Sequence, residues 1–321
     1  MRIYFWGTRG SLPASTTFKA IQEKIFKAIS ISRSHTLETE DAINAFIRNE
    51  LPFSIRGSYG GNTSCVEIRG QEEFILCDAG TGLRDFGNHL LKSGEMRQRG
   101  SSPVFNIFIS HPHWDHIQGF PFFVPAYIPG TRINIYGCHA DLKKVFETQQ
   151  SAPFFPVPLK VMSAEIVFHA LEPGKTYDIA GLSVHGIKQN HPGDSYGYCF
   201  LKDGKKVVYS TDAEHKQDAE HEEYEFLEFF SKADLLIFDA QYSLADAIGG
   251  KENWGHSSNL VAVELAVKSG VKRLCLFHGE HSYDDEASDK FLEDTRKYLN
   301  LFEDAYPLEI DLAYDGLEIE V

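Results

Sequence analysis

The chain has 321 residues, is 42% hydrophobic and 24% charged, and carries a formal net charge of −15. That apolar content supports a sizeable core and excludes intrinsic disorder. The acidic balance speaks against a broadly basic nucleic-acid-binding surface, although bound cations can still make a local cleft positive. No run approaches the ~18–20 consecutive apolar residues that span a bilayer. The N-terminus enters a strand at once, without a signal-peptide pattern. The five cysteines (Cys65, Cys77, Cys138, Cys199 and Cys275) are scattered and form no Cys-x-x-Cys pair. Reduced thiols explain them, so a cytoplasmic protein with no membrane partner is expected.

In chain order, Ile3–Trp6 predicts the first strand. The region 15–51 differs: Phe18, Ile21, Ile25, Phe26 and Ile29 recur at helical spacing, as do Ala42, Ile43, Phe46 and Ile47. They predict two amphipathic helices inserted in a β-rich half, with the apolar stripe facing core or a dimer partner, and a lid over the active site as the alternative. Ser64–Ile68 and Glu73–Cys77 predict strands, followed by Asp78 in a Gly-rich turn. The run Val104–Ser110 then delivers His111-Pro112-His113-Trp114-Asp115-His116. Four metal-capable side chains within six residues, on a strand-end loop, suit a hydrolytic metal site.

Further strands are predicted at Arg132–Tyr136, Ile166–Ala170, Leu182–Gln189, Tyr198–Leu201, Lys206–Ser210, Leu235–Asp239 and Arg273–Phe277, with a helix at Leu260–Lys268. Three prolines and two phenylalanines make Ser151–Pro158 a rigid irregular loop, a candidate pocket wall. His191, Asp212 and His278 each lie at or just beyond the end of an apolar strand. One polar residue per strand end is how an α/β sheet assembles a site along one edge. With no linker or repeat, one domain over 1–321 is expected, containing the 15–51 insertion.

In these residues the chain resembles the metallo-β-lactamase superfamily, outside the helical insertion. The resemblance implies an α/β fold, a four-layer αββα sandwich with a two-metal site at its edge. One ion would take His111, His113, His191 and Asp212. The other would take Asp115, His116 and His278, with Asp212 as the bridge, and Asp78 would orient the ligands. Two divalent ions are implied, zinc first, manganese or iron otherwise, supplying a hydroxide as nucleophile. Asp115 counts as a catalytic residue as well as a ligand. Zinc β-lactamases of the common type carry cysteine where Asp212 stands, which disfavours antibiotic hydrolysis.

Trp254-Gly255-His256-Ser257-Ser258 and Leu236-Ile237-Phe238-Asp239-Ala240-Gln241-Tyr242 resemble two loops of the tRNA 3′-processing endonucleases within that superfamily. By that resemblance His256 is the general acid and Asp239 orients it. The Gly-rich arm with which that branch grips tRNA is not recognisable. Relatives often carry a second His next to His278; here His281 follows at a distance and is expected to be solvated. The tracts Gly60–Cys65 and Thr211–His215 also resemble compact bacterial cyclic-phosphodiester hydrolases.

The expected function is therefore hydrolysis of a small cyclic phosphodiester, foremost a cyclic nucleotide, by a phosphodiesterase. Phe122, Phe123, Tyr127, Phe154 and Phe155 are candidates to stack a base. The acidic charge makes extended nucleic acid a disfavoured partner, and a homodimer is an open expectation. The alternatives are an RNA 3′-end endonuclease, another hydrolase such as a thioesterase, and a sensor that binds without turnover.

Overall fold

The computed structural model describes residues 1–100, 102–216, 221, 223–243, 254–302 and 307–321. Two seven-stranded mixed sheets face each other. The first, in the order β14-β1-β2-β3-β4-β5-β6, is built from β1 Arg2–Gly7, β2 Cys65–Arg69, β3 Phe74–Cys77, β4 Val104–Phe108, β5 Arg132–Gly137, β6 Glu165–Ala170 and β14 Glu318–Glu320. The second, in the order β13-β12-β11-β10-β9-β8-β7, comprises β7 Thr176–Ile179, β8 Leu182–Gln189, β9 Ser195–Lys202, β10 Lys205–Ser210, β11 Leu235–Asp239, β12 Arg273–Phe277 and β13 Glu309–Leu312.

Each sheet is antiparallel over one part and parallel over the other, β3 to β6 in the first and β10 to β13 in the second. Parallel strands all end at the same edge, so β3, β4, β10, β11 and β12 release their C-terminal residues together. Their sequences explain the arrangement. Leu235–Asp239 is buried at every position, as a strand covered on both faces requires, whereas β8 alternates buried and half-buried residues along its outer position.

Three apolar clusters make the layers. Ile3, Phe5, Phe108, Tyr198, Val207 and Phe277 fill the space between the sheets. Phe74, Phe86, Phe105 and Phe123 pack helix Gly82–Ser93 on the outer face of the first sheet. Leu236, Leu276, Ala262 and Phe291 pack helices Asn259–Lys268 and Asp285–Leu299 on the second. This is the expected αββα sandwich. Each fully buried Phe or Leu contributes ~1.5–3 kcal/mol by leaving water.

The expected strands all form, within a residue or two except that β9 starts three residues before the expected Tyr198. Those missed, β7, β13 and β14, are three or four residues long and half polar. Two helices occupy the 15–51 insertion, Phe18–Ser32 and Glu40–Asn49, each capped by a threonine hydroxyl that accepts from a backbone N–H three residues on. The first meets no part of the core reading: it has no buried residue, and Phe18 and Phe26 are 77% and 70% exposed, so its stripe faces away from this chain's core. Ion pairs of Lys24 with Asp285 and Lys27 with Glu286 tie it to the start of helix Asp285–Leu299.

Candidate metal centre

The shared edge of the two sheets collects every strand-end residue singled out above. Asp78 follows β3, His111 to His116 follow β4, His191 follows β8, Asp212 follows β10, Asp239 ends β11 and His278 follows β12. Asp78, Asp212 and His278 all have φ between 48° and 61°, the left-handed region that non-glycine residues rarely adopt. Such a turn costs ~1–3 kcal/mol per residue and persists where the surroundings over-determine it. At three strand ends it turns the side chain into the same space.

Two groups of donors result. His111 Nε2 lies 2.8 Å from His113 Nδ1, which lies 3.1 Å from His191 Nε2. Asp115, His116, Asp212 and His278 form the second group, with His116 Nε2 3.3 Å from His278 Nε2. Asp212 spans both. Its Oδ2 is 3.6 Å from His111 and 3.8 Å from His191; its Oδ1 is 3.2 Å from His116 and 3.3 Å from His278. His281 is apart from these groups, its side chain 42% exposed and paired with Glu280.

The chemistry of this donor set fits cations. A neutral imidazole has one N–H, so three imidazole nitrogens meeting at one point turn lone pairs toward each other. Burial, aided by neighbouring imidazoles, holds His111 well below the usual histidine range, and burial lowers His113 and His191 too. Neutral imidazole is the ligand form. Burial works against ionised Asp212 and Asp115, yet the histidines around them hold both carboxylates well below their usual range. Against the pull of burial, Asp212, Asp115 and Asp78 lift His116 well above the usual histidine range, so it holds a proton that a divalent cation would displace. The neutral imidazoles of the first group and the ionised carboxylates are already in the forms that divalent metals take.

The residues behind the donors are fixed in turn. Asp78, fully buried, accepts from Ser110 N at 2.7 Å, Ser110 Oγ at 2.8 Å and Tyr209 Oη at 2.7 Å, and pairs with His116 Nδ1 at 2.7 Å. His191 Nδ1 donates to the carbonyl of Gly255 at 2.8 Å. Gly255 has φ +84°, and a Cβ there would lie 2.3 Å from His191 Nδ1, so only glycine permits this approach. Asp239 Oδ2 accepts from His256 Nδ1 at 2.9 Å and from Ala213 N at 3.0 Å. Burial disfavours the charged imidazole, but the Asp239 carboxylate outweighs it and lifts His256 to about 9.

Sequence reasoning missed several contributors. Ser11, itself at φ 62°, donates its backbone N–H to Asp115 Oδ2 at 2.8 Å, and its hydroxyl accepts from Gln241 at 3.2 Å. Ser110 and Tyr209 hold Asp78. No spacing links these positions; only their place beside a strand end, as with Ser110 before His111, offers a signal.

The family model described as beta-lactamase superfamily domain matches residues 73–279. Ribonuclease Z of Picrophilus torridus is 28% identical over 265 residues, covering 65% of this chain and 77% of that protein. Several further relatives, archaeal and bacterial, carry the same name. A metallo-beta-lactamase fold protein of Bacillus subtilis superposes with a TM-score of 0.63 at 17% identity, covering 100% and 98% of the two chains. Human tRNase Z, short form, superposes with a TM-score of 0.60 at 20% identity, covering 100% and 99%. At these identities the superpositions carry the fold alone.

The relatives correct the expectation about partners. A small phosphodiester as the substrate, with extended nucleic acid disfavoured, conflicts with sequence relatives named as ribonucleases. The physical reason is that net charge sums over the whole surface. Phosphates meet a local field, and a buried cation-binding centre sets that field whatever the total.

Proposed function

This chain belongs to the β-lactamase superfamily, and on that premise we propose that it is a metal-dependent RNA endonuclease, cutting a phosphodiester toward the 3′ end of a structured RNA. The observation that carries this reading is the His256–Asp239 pair set against Asp212, with His256 Nδ1 4.0 Å from Asp212 Oδ2. The ribonuclease Z relatives, which span most of the chain, support it over the cyclic-nucleotide alternative.

His111, His113, His191 and Asp212 would hold one divalent cation, and Asp115, His116, His278 and the same Asp212 a second. Zinc is the first choice for such imidazole-rich sites, with manganese or iron the others. Bound there, the ions would supply Lewis acidity toward phosphoryl oxygens and a lowered pKa for water. The chain's own residues do the rest. Asp78 keeps His116 in one orientation and tautomer. Ser11 fixes Asp115 through its backbone N–H. Asp239 engages Nδ1 of His256, which leaves Nε2 to give a proton to the departing oxygen. Asp239 favours the protonated imidazole, which keeps a proton on His256 for that step.

The test is cleavage of a tRNA precursor carrying a 3′ extension, run beside hydrolysis of a cyclic nucleotide by the same zinc- or manganese-loaded protein. Endonucleolytic cutting of the precursor is expected, and His256→Ala should lower its kcat by ~10²–10⁴-fold. Turnover of the cyclic nucleotide with the precursor left intact would refute the reading.

A further inference from the structure

Among the metal-site candidates, only His113 is exposed; His111, Asp115, His116, His191, Asp212 and His278 are buried. Substrate therefore approaches across His113. The residues on either side of it, Pro112 and Trp114, line a cavity of about 470 Å³. We propose that this cavity is a subsite for a nucleobase next to the scissile phosphate, stacked on Trp114 with Phe122 and Phe154 as its other walls. The proposal rests on the ribonuclease reading and extends it to how the RNA strand is held.

Trp114 is 75% exposed, Phe154 66% and Phe122 55%. Three large rings left in water around one concavity mark a binding surface rather than scattered exposure. They are also held in place. Phe122 packs edge-on against Phe155 with centroids 5.5 Å apart. Phe154 sits in the Pro-rich loop, its N–H donating to the Ser151 carbonyl at 2.8 Å. A wall ordered before binding loses little entropy when a flat ligand enters. Phe123, by contrast, is fully buried against Phe86 and Phe105 and belongs to the core.

The occupant follows from the chemistry. A base presents an apolar face of the right shape to an indole, and stacking tolerates any base because each has a π-face. Lys144, on helix Leu142–Gln149, and Asp141 just before it put one charge of each sign at the wall, so the aromatic faces rather than the charge recognise the occupant. Pro112 and Trp114 flank the exposed His113 in the chain, and on this proposal one strand places a phosphate at the donors and the next base on Trp114.

Isothermal titration calorimetry on the zinc-loaded full chain tests this without turnover, comparing AMP with ribose 5-phosphate. AMP is expected to bind about tenfold tighter or more, the contribution of one stacked base. Trp114→Ala should remove most of that preference and Phe154→Ala part of it; both side chains are exposed, so neither change disturbs the core. Equal affinity for the two ligands in the unmodified protein would overturn the subsite, as would a preference that survives both substitutions together. A lost preference in Trp114→Ala, alongside no cutting of RNA, upholds the subsite and sinks the ribonuclease reading instead. Cutting of RNA without any base preference does the reverse.

Discussion

At the scale of single residues, the sandwich edge sets protonation states by burial against neighbouring charge. His215 shows the burial side alone. It is enclosed by Phe226, Phe230 and Phe238, its Nδ1 lies 2.5 Å from Tyr224 Oη, and burial pushes it down to about 3. The folded protein keeps it neutral while the unfolded chain takes up a proton below about 6.5. Stability from this residue is therefore complete above pH 6.5 and is lost as pH falls toward 3. Between pH 6.5 and 5 the loss amounts to ~2 kcal/mol. Chemical denaturation of His215→Phe should show an acid slope flatter by that amount; an unchanged slope would remove His215 from the account. Sequence could not foresee this, since His215 reads as one more polar residue after Asp212. Its burial depends on helix Glu225–Phe230 folding over it.

At the scale of elements, the same strand-then-ligand grammar was legible wherever the strand was apolar and long enough. β4, β10, β11 and β12 announce themselves as Val/Ile/Leu/Phe-rich runs, and the polar residue after each is conspicuous by contrast. β7, β13 and β14 were not legible, because short edge strands gain their hydrogen bonds from a neighbour rather than from their own composition. Helix Phe18–Ser32 was legible as a helix but not in its burial. Periodicity specifies an apolar stripe and is silent on what covers it. This helix is held by Lys24, whose ammonium also donates to the Gly57 carbonyl at 2.5 Å, and by Lys27. With no residue in the core, it should come loose locally. Lys24→Met is expected to speed amide hydrogen exchange across residues 18–32 by tenfold or more while leaving the midpoint of global unfolding within about 1 kcal/mol. Global unfolding that shifts together with local exchange would show the helix to be part of the cooperative core.

At the scale of the whole molecule, the two sheets exist in one relative placement because their inner faces share the cluster of Ile3, Phe108, Tyr198 and Phe277. That placement holds two carboxylates and five imidazoles together at the edge. Without cations, lone pairs and like charges face each other there, so removing metal should destabilise the fold as a unit. A chelator is expected to cost ~2–4 kcal/mol, read as a Tm lower by several degrees and restored by zinc. A Tm indifferent to chelator and to added zinc would contradict a metal centre.

The sequence by itself determined the class of fold, the strands that carry the site and the identity of nearly every residue collected at its edge. Those features are written in hydrophobic runs and in the contrast between a run and the polar residue that ends it. Only the tertiary structure decided that Asp212 touches both groups of donors, that Ser11, after β1, and Tyr209, on β10, reach into the site, and that Trp114 opens onto an aromatic cavity. Each of these depends on distances between segments far apart in the chain, set by how two sheets pack. The substrate class was likewise beyond composition, because a net charge of −15 describes the whole surface and a phosphate responds only to the few ångströms around it.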